Sequence, residues 1–301
     1  MTNSERIKER LNNIRTVEPI LGALRTISLG SWQAAQKRRA GLHAYTACLH
    51  GLLPLLMAHL PVKRGFPLWR RYFNNDSPPT PTKIGILVIG SERGLCGGFN
   101  DAVARYALAQ AAEKEQTAVE IEWMVLGGRA QRALEREKED LEFSWARPLA
   151  TSALPHFSLA VELARRWLAR YEAGELDALD LIYPAPQGLG SYAPTISRLL
   201  PPALSAVESD AAPEIELDTI VETDPLSLYT RVIEQLTAIS LYAVLLDSAT
   251  AEHATRYQLM EGASQNAERL IDDLLQDLQS IRREQITREM QELAVGAGLL
   301  G

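Results

Sequence analysis

Apolar and polar positions divide the chain into three stretches. From Ser4 to about Leu60 the pattern is helical: Ile7, Leu11, Ile14, Leu21 and Leu24 recur at three-, four- and seven-residue steps, which places them on one helix face. Ser4 can cap the first turn. Pro19 removes a backbone donor inside this run and predicts a kink or a loosened turn there. Gly22, Gly30, Gly41 and Gly51 weaken the helix further. "PVKRGFPLWRRYFNNDSPPTPT" then reads as a long polar, proline-rich connection.

From Lys83 to about Thr223 strands alternate with helices. "KIGILVIGS" and "VEIEWMVLGG" are apolar runs that each end in a glycine turn and lead into a helical segment. "LEFSWARPL" is a third candidate strand, followed by the helix "FSLAVELARRWLARYEAGE". "LDLIYPAP" and "YAPTISRLLP" read as a fourth strand and a returning edge strand. Apolar strands alternating with helices predict an α/β domain, a mostly parallel sheet with helices on its faces.

After Pro225 the chain has no further proline, and only Gly262 precedes Gly296. About 70 residues can therefore form one helix, on the order of 100 Å long. Met260, Ala263, Ala267, Leu270, Leu274, Leu278 and Ile281 mark a coiled-coil seam along it. Such a helix needs a partner, and the N-terminal helix is the candidate within the chain, packed antiparallel to it. The alternative is a bundle of several shorter helices. The expected division is 1–60 for the N-terminal coiled-coil helix, 83–223 for the α/β domain and 225–301 for the C-terminal helix.

Composition narrows the function classes. Among 301 residues, 46% are hydrophobic and 23% charged, enough for a real core. The net charge of −7 argues against a nucleic-acid binder, which would carry a basic face. Lys37-Arg38-Arg39, Arg70-Arg71 and Arg282-Arg283 are short basic clusters that can meet acidic partners. Cys48 and Cys96 stand far apart, outside any metal-ligand spacing, and read as two small buried thiols of a reducing compartment. Met1 to Arg10 lacks the apolar segment of a secretory signal. "CLHGLLPLLMAHLP", interrupted by Pro54, is too short to span a bilayer, so the chain reads as soluble or peripheral.

The candidate chemistry lies in "GSERGLCGGFND", residues 90–101. A strand, a glycine turn and a helix start form the setting of phosphate-binding loops. Gly94, Gly97 and Gly98 do not match G-x-G-x-x-G, however, and no G-x-x-x-x-G-K-[ST] follows the strand. A dinucleotide site would also want an acidic residue closing the next strand, where "WMVLGG" ends in glycines. The turn thus reads as structural. No G-x-S-x-G or H-E-x-x-H motif occurs, and Asp272, Asp273 and Asp277 suit a solvated helix face. Neither catalytic residues, a cofactor nor a metal is expected.

Three motifs carry a resemblance. "ERGLCGGFN" after an apolar strand is similar to the "DRGLCGGLN" element of the gamma subunit of F-type ATP synthases. "SQNAERLIDDLLQDLQSIRREQITREMQELAVGAG" resembles that family's ending, and "IKERLNNI" its opening. They stand in the family's order and spacing across nearly the whole chain. The resemblance implies two antiparallel terminal helices as a coiled-coil shaft with a Rossmann-like α/β domain at its foot. It implies a non-catalytic rotor inside a ring of alpha and beta subunits, coupling proton or sodium flow to ATP synthesis or hydrolysis. The foot would meet the epsilon subunit and the c-subunit ring, with the whole held peripherally on the cytoplasmic face of a bacterial inner membrane.

By motif, Arg256 matches a family arginine that reaches the beta subunits, Arg282 the arginine of "AR", and Thr287 and Glu289 the polar positions of "IT.E". Arg283 stands where the family usually has glutamine. Leu24, Ser31 and Trp32 also replace the usual methionine, lysine and methionine, which leaves open an ordinary subunit or one from a divergent or duplicated complex. The competing readings are an α/β nucleotide-binding enzyme and an unrelated coiled-coil scaffold.

Overall fold

A computed structural model describes residues 3–60, 81–117, 119–149, 154–188, 190–202 and 222–296. The expected connection after Leu60 falls outside these residues up to Thr80. The chain forms two compact units, Met1–Leu29 with Arg256–Gly301, and Gly30–Thr255. Helices α1 (Asn3–His59) and α5 (Pro225–Gly296) each contribute to both.

The first unit is a pair of helices. On α1 the covered positions include Ser4, Ile7, Leu11, Ile14, Glu18, Leu21, Arg25 and Ser28, a run stepping by three and four, with Gly22, Leu24 and Leu29 half-covered beside it. On α5 the matching run is Met260, Ser264, Ala267, Ile271, Leu274, Leu278 and Ile281, with Glu261, Gly262, Ala263 and Leu275 half-covered beside it. This is the seam of a left-handed coiled coil. Direction follows from two ion pairs between the helices, Arg25 Nη1 to Glu261 Oε2 at 2.9 Å and Arg39 Nε to Asp247 Oδ1 at 2.8 Å. Arg39 lies fourteen residues after Arg25 and Asp247 fourteen before Glu261, so α1 and α5 run antiparallel. Asn3 would then lie near residue 283. From Arg282 to Val295 every residue of α5 except Ala294 is exposed, because no described part of α1 reaches that far.

Three expectations change here. Ser264 and Ile271 take the seam places expected for Ala263 and Leu270, and Leu270 is 46% exposed. Hydrophobicity marked Leu270, but a heptad counted back from Leu274 and Leu278 reaches Ile271. Pro19 sits on the exposed side of α1, and the helix continues through it without interruption. Water can take the carbonyl that the missing donor leaves free. Both α1 and α5 also contain a window apolar enough to cross a bilayer by length and composition, contrary to the expectation drawn from Pro54. The α5 window is 67% buried inside the protein, as a packed helix is.

The second unit holds a five-stranded sheet in the order β3-β2-β1-β4-β5. Strands β1 (Lys83–Ile89), β2 (Glu120–Leu126), β3 (Trp145–Arg147) and β4 (Ala178–Pro186) are parallel. β5 (Tyr192–Leu200) returns antiparallel to β4 along one edge. β3 is shorter than "LEFSWARPL" suggested, since Pro148 has no N–H to continue the ladder.

Alternate residues of each strand feed opposite cores. Leu87, Ile89, Met124, Leu126, Leu179 and Leu181 pack under α4 (Phe157–Glu172) and parts of α1 and α5. Ile86, Val88, Trp123, Val125 and Ile182 pack under α2 (Phe99–Glu115) and α3 (Gly128–Glu137). Both faces being covered explains why these strands read as continuous apolar runs. Of the two cysteines, Cys96 is buried but Cys48 is exposed, because the α1 seam turns Thr46 and Leu49 inward and Cys48 out.

Glu122 on β2 receives Arg170 of α4 through two bonds of 2.8 and 3.0 Å. The Arg170 hydrogen bonds hold the Glu122 carboxyl below its usual range against the opposing effect of burial. A depressed carboxyl stabilises the fold above its unfolded pKa, about 4.3, and that stability is lost as pH falls through the folded value. Glu122→Gln should therefore lower the unfolding midpoint at neutral pH, and the gap to the parent should narrow as urea titrations move to acid pH. A constant gap from neutral to acid pH would contradict this.

Candidate functional site

The sequence-predicted turn lies between β1 and α2, at the carboxyl edge of the parallel strands. Ser91 N donates to Asn100 Oδ1 at 2.9 Å, and Asn100 Nδ2 returns a bond to Ser91 Oγ at 2.9 Å. Cys96 Sγ lies 3.5 Å from Ser91 Oγ, inside the same knot. Phe99 and Cys96 then anchor the turn on Ala251 of α5. Gly97 has φ 58°, a left-handed conformation that favours a residue with no side chain, whereas Gly98 is the N-cap of α2 with φ −79°. An added Cβ at Gly94 would make only ordinary contact with the Arg129 guanidinium, at 3.4 Å. Leu95 holds φ 64° and remains 57% exposed at the tip, a rare conformation for a large side chain.

Glu92 is the residue that sequence reasoning passed over. One of its oxygens, Oε2, accepts from Gly128 N at 2.8 Å, at the start of α3, and from Leu149 N at 3.0 Å, just after β3. The segments following β1, β2 and β3 are thereby tied by one carboxylate. Gly127, seen in the sequence only as the end of a strand, lets the backbones approach, and Gly128 leaves room for the Glu92 carboxylate. An added Cβ would stand 2.7 Å from Gly90 O at Gly127 and 3.0 Å from Glu92 Oε1 at Gly128. Beside this knot lies a cavity of about 380 Å³ with Ile89, Leu159 and Leu245 in its lining. On its border Arg147 pairs with Glu162 at 2.7 Å.

The remaining expected residues are all on α5 but in two settings. Arg256 is only 6% exposed and is engaged within its own chain. Arg282, Arg283, Thr287 and Glu289 lie on the exposed end of the helix. Their only described bonds are along the helix itself: Arg283 Nε to Gln279 O at 3.4 Å and Thr287 Oγ1 to Arg283 O at 2.8 Å.

At about 100° per residue, Ile286, Met290 and Leu293 line up as one stripe. Arg282 and Glu289 border it on one side, Arg283 and Thr287 on the other. Those three apolar residues are between 50% and 72% exposed. Val17, Ile20 and Ile27 of α1 add further exposed apolar side chains in the same unit.

Comparison with known proteins decides what kind of chain carries these surfaces. The sequence model of the ATP synthase family matches residues 3–300. The ATP synthase gamma chain of Parabacteroides distasonis is 27% identical over 304 residues, covering 99% of both chains. This chain belongs to the ATP synthase gamma family. The gamma chain of Rhizobium johnstonii is 25% identical over 301 residues and covers both chains completely.

Among solved structures, a chain of the Euglena gracilis mitochondrial ATP synthase, from an assembly with the c-ring, aligns with TM-score 0.57 at 14% identity. That alignment covers 99% of this gamma chain and 96% of the other. A chain from the Tetrahymena thermophila central stalk and c-ring gives TM-score 0.56 at 20% identity, over 81% and 99%. At these identities the likeness is one of fold: long terminal helices and a parallel-dominant sheet.

Proposed function

We propose that this chain is the central rotor shaft of an F-type ATP synthase, coupling proton or sodium translocation to ATP synthesis or hydrolysis in a ring of alpha and beta subunits. The observation that carries the reading, beside family membership, is the end of α5 that no other described residue covers. A stripe of large apolar side chains bordered by two arginines is costly to leave in water unless another protein surrounds it. The N-terminal helix to residue 60 and the C-terminal helix from 225 form the shaft, and residues 83–223 form a foot that meets the epsilon subunit and the c-ring. Nucleotide chemistry belongs to the neighbours. The complex would hold this chain peripherally at the cytoplasmic face of a bacterial inner membrane.

Contacts with the beta subunits are assigned to Arg282, Arg283, Thr287 and Glu289. Arg256, with so little exposed surface, contributes a smaller share. In the assembled complex, Arg282→Ala combined with Arg283→Ala should lower ATP-driven ion pumping by roughly threefold or more, because partly desolvated charges at an interface outweigh exposed ones. The isolated protein should keep its unfolding midpoint, since neither side chain supports the fold. Arg283→Gln should be tolerated better than Arg283→Glu. Pumping equal to the parent complex for both substitutions, across a range of salt concentrations, would remove these residues from the interface.

A further inference from the structure

The cavity of about 380 Å³ lies at the carboxyl edge of the parallel strands. Its wall is apolar where Ile89 closes β1, where Leu149 follows β3, and where Leu159 stands in the first turn of α4. Leu245, Ser248 and Ala249 complete it from one face of α5, at steps of three and four. All of these residues belong to the second unit. A volume of that size within a mainly apolar lining is the setting of small-molecule sites.

Ser248 differs from its neighbours. It is 2% exposed, and its hydroxyl makes no hydrogen bond among the described residues. Helical hydroxyls commonly turn back to the carbonyl four residues earlier. On α5, Thr237 does so to Ile233 O at 2.8 Å and Thr250 to Leu246 O at 2.7 Å. Ser248 does not, and it lines the cavity instead. A buried hydroxyl without a partner is costly, so this position favours a ligand that brings a hydrogen-bonding oxygen.

The charged groups of the lining favour no further charge. Glu92 is held by Gly128 N and Leu149 N, and Arg147 by Glu162. Arg93, Glu252 and His253 are engaged within the chain as well, and His156 and Ser158 are solvent-exposed. Among the described lining residues no charge is left to neutralise one brought by a ligand, and an unpaired charge is expensive away from water.

We propose that this cavity binds a small uncharged molecule, an apolar body carrying one hydroxyl, which exchanges a hydrogen bond with Ser248 Oγ. The apolar body displaces water from the leucine and isoleucine side chains. Because the lining combines the sheet edge with α4 and α5, an occupant braces α4 against α5. The site lies in the second unit and does not rest on the rotor reading.

The test titrates the full chain with three ring compounds of similar size, phenol, toluene and benzoate, followed by NMR. Phenol should bind saturably with a Kd in the millimolar range, roughly what a ligand of about seven non-hydrogen atoms supplies. Toluene should bind about fivefold more weakly for want of the hydroxyl. Benzoate should bind at least about tenfold more weakly, because its charge finds no counter-ion. Ser248→Ala should erase the difference between phenol and toluene, and Leu159→Trp, which fills the cavity, should abolish the binding of both.

Phenol and toluene bound alike by the parent, benzoate bound best, or an unchanged phenol–toluene gap in Ser248→Ala would each overturn the proposal. So would the absence of saturable binding, which assigns the cavity to water only. Should Leu159→Trp not fold, the location is read in the parent, where phenol should shift the amide resonances of Ser248 and Ala249. Saturable binding that leaves both unmoved would overturn the proposal equally.

Discussion

Gly127→Ala is expected to destabilise the isolated chain by about 3 kcal/mol or more, while Gly98→Ala in the neighbouring turn should change stability by less than about 0.5 kcal/mol. Both are glycines at strand-to-helix junctions, and the difference lies in backbone geometry. Gly127 has φ 110°, which L side chains rarely adopt. An added Cβ would stand 2.7 Å from Gly90 O, 3.0 Å from Gly90 C and 3.1 Å from Ser91 O.

Those atoms are backbone and cannot swing aside. They are also held in place, since Gly127 N donates to Arg147 O at 2.9 Å and Arg129 N to Ser91 O at 3.1 Å. Gly98, by contrast, has φ −79° and nothing within 4 Å of its would-be Cβ. Urea unfolding of the two variants beside the parent measures the contrast. Equal midpoints for both would mean that the junction after β2 relaxes at little cost, against its hydrogen bonding.

Asp180→Ala should rival that loss, at about 3 kcal/mol, while a triple replacement of Asp180, Lys114 and Arg198 by apolar residues of similar size should cost much less. Asp180 lies on β4 and is 2% exposed. Its carboxylate takes Lys114 Nζ at 3.1 Å and the guanidinium of Arg198, with Nη2 at 3.3 Å from Oδ2. Removing the carboxylate alone leaves two cations facing a space with no anion between them.

Lys114 and Arg198 keep 23% and 40% of their side-chain surface, so part of the repulsion can be relieved toward solvent. That places the loss at the lower end of the range for a broken buried pair. Asp180→Asn, which keeps acceptor geometry, should fall between. A triple variant as unstable as Asp180→Ala would show that these charges specify the packing of β4, β5 and α2 rather than merely neutralising each other.

Local pattern alone was sufficient for the terminal helices and for the succession of strands along the chain. Heptad spacing and the absence of proline after Pro225 predict a helix that the structure extends to Gly296; apolar runs closing on glycines predict β1 and β2, and the apolar run "LDLIYPAP" predicts β4. Family membership was legible too, because motifs such as "ERGLCGGFN" are short and contiguous.

What pattern could not decide is anything set by a partner distant in sequence. Ser264 and Ile271 entered the seam in place of Ala263 and Leu270 because phase along α5 is chosen by α1, whose Arg25 reaches Glu261. Cys48 turned outward because its neighbour Leu49 packs into the core beneath the sheet. Glu92 gave no signal of its own, since its donors, Gly128 N and Leu149 N, come from segments 36 and 57 residues away. A sequence carries residue types and spacing. The tertiary structure alone decides which backbone N–H groups stand within hydrogen-bond reach of a carboxylate.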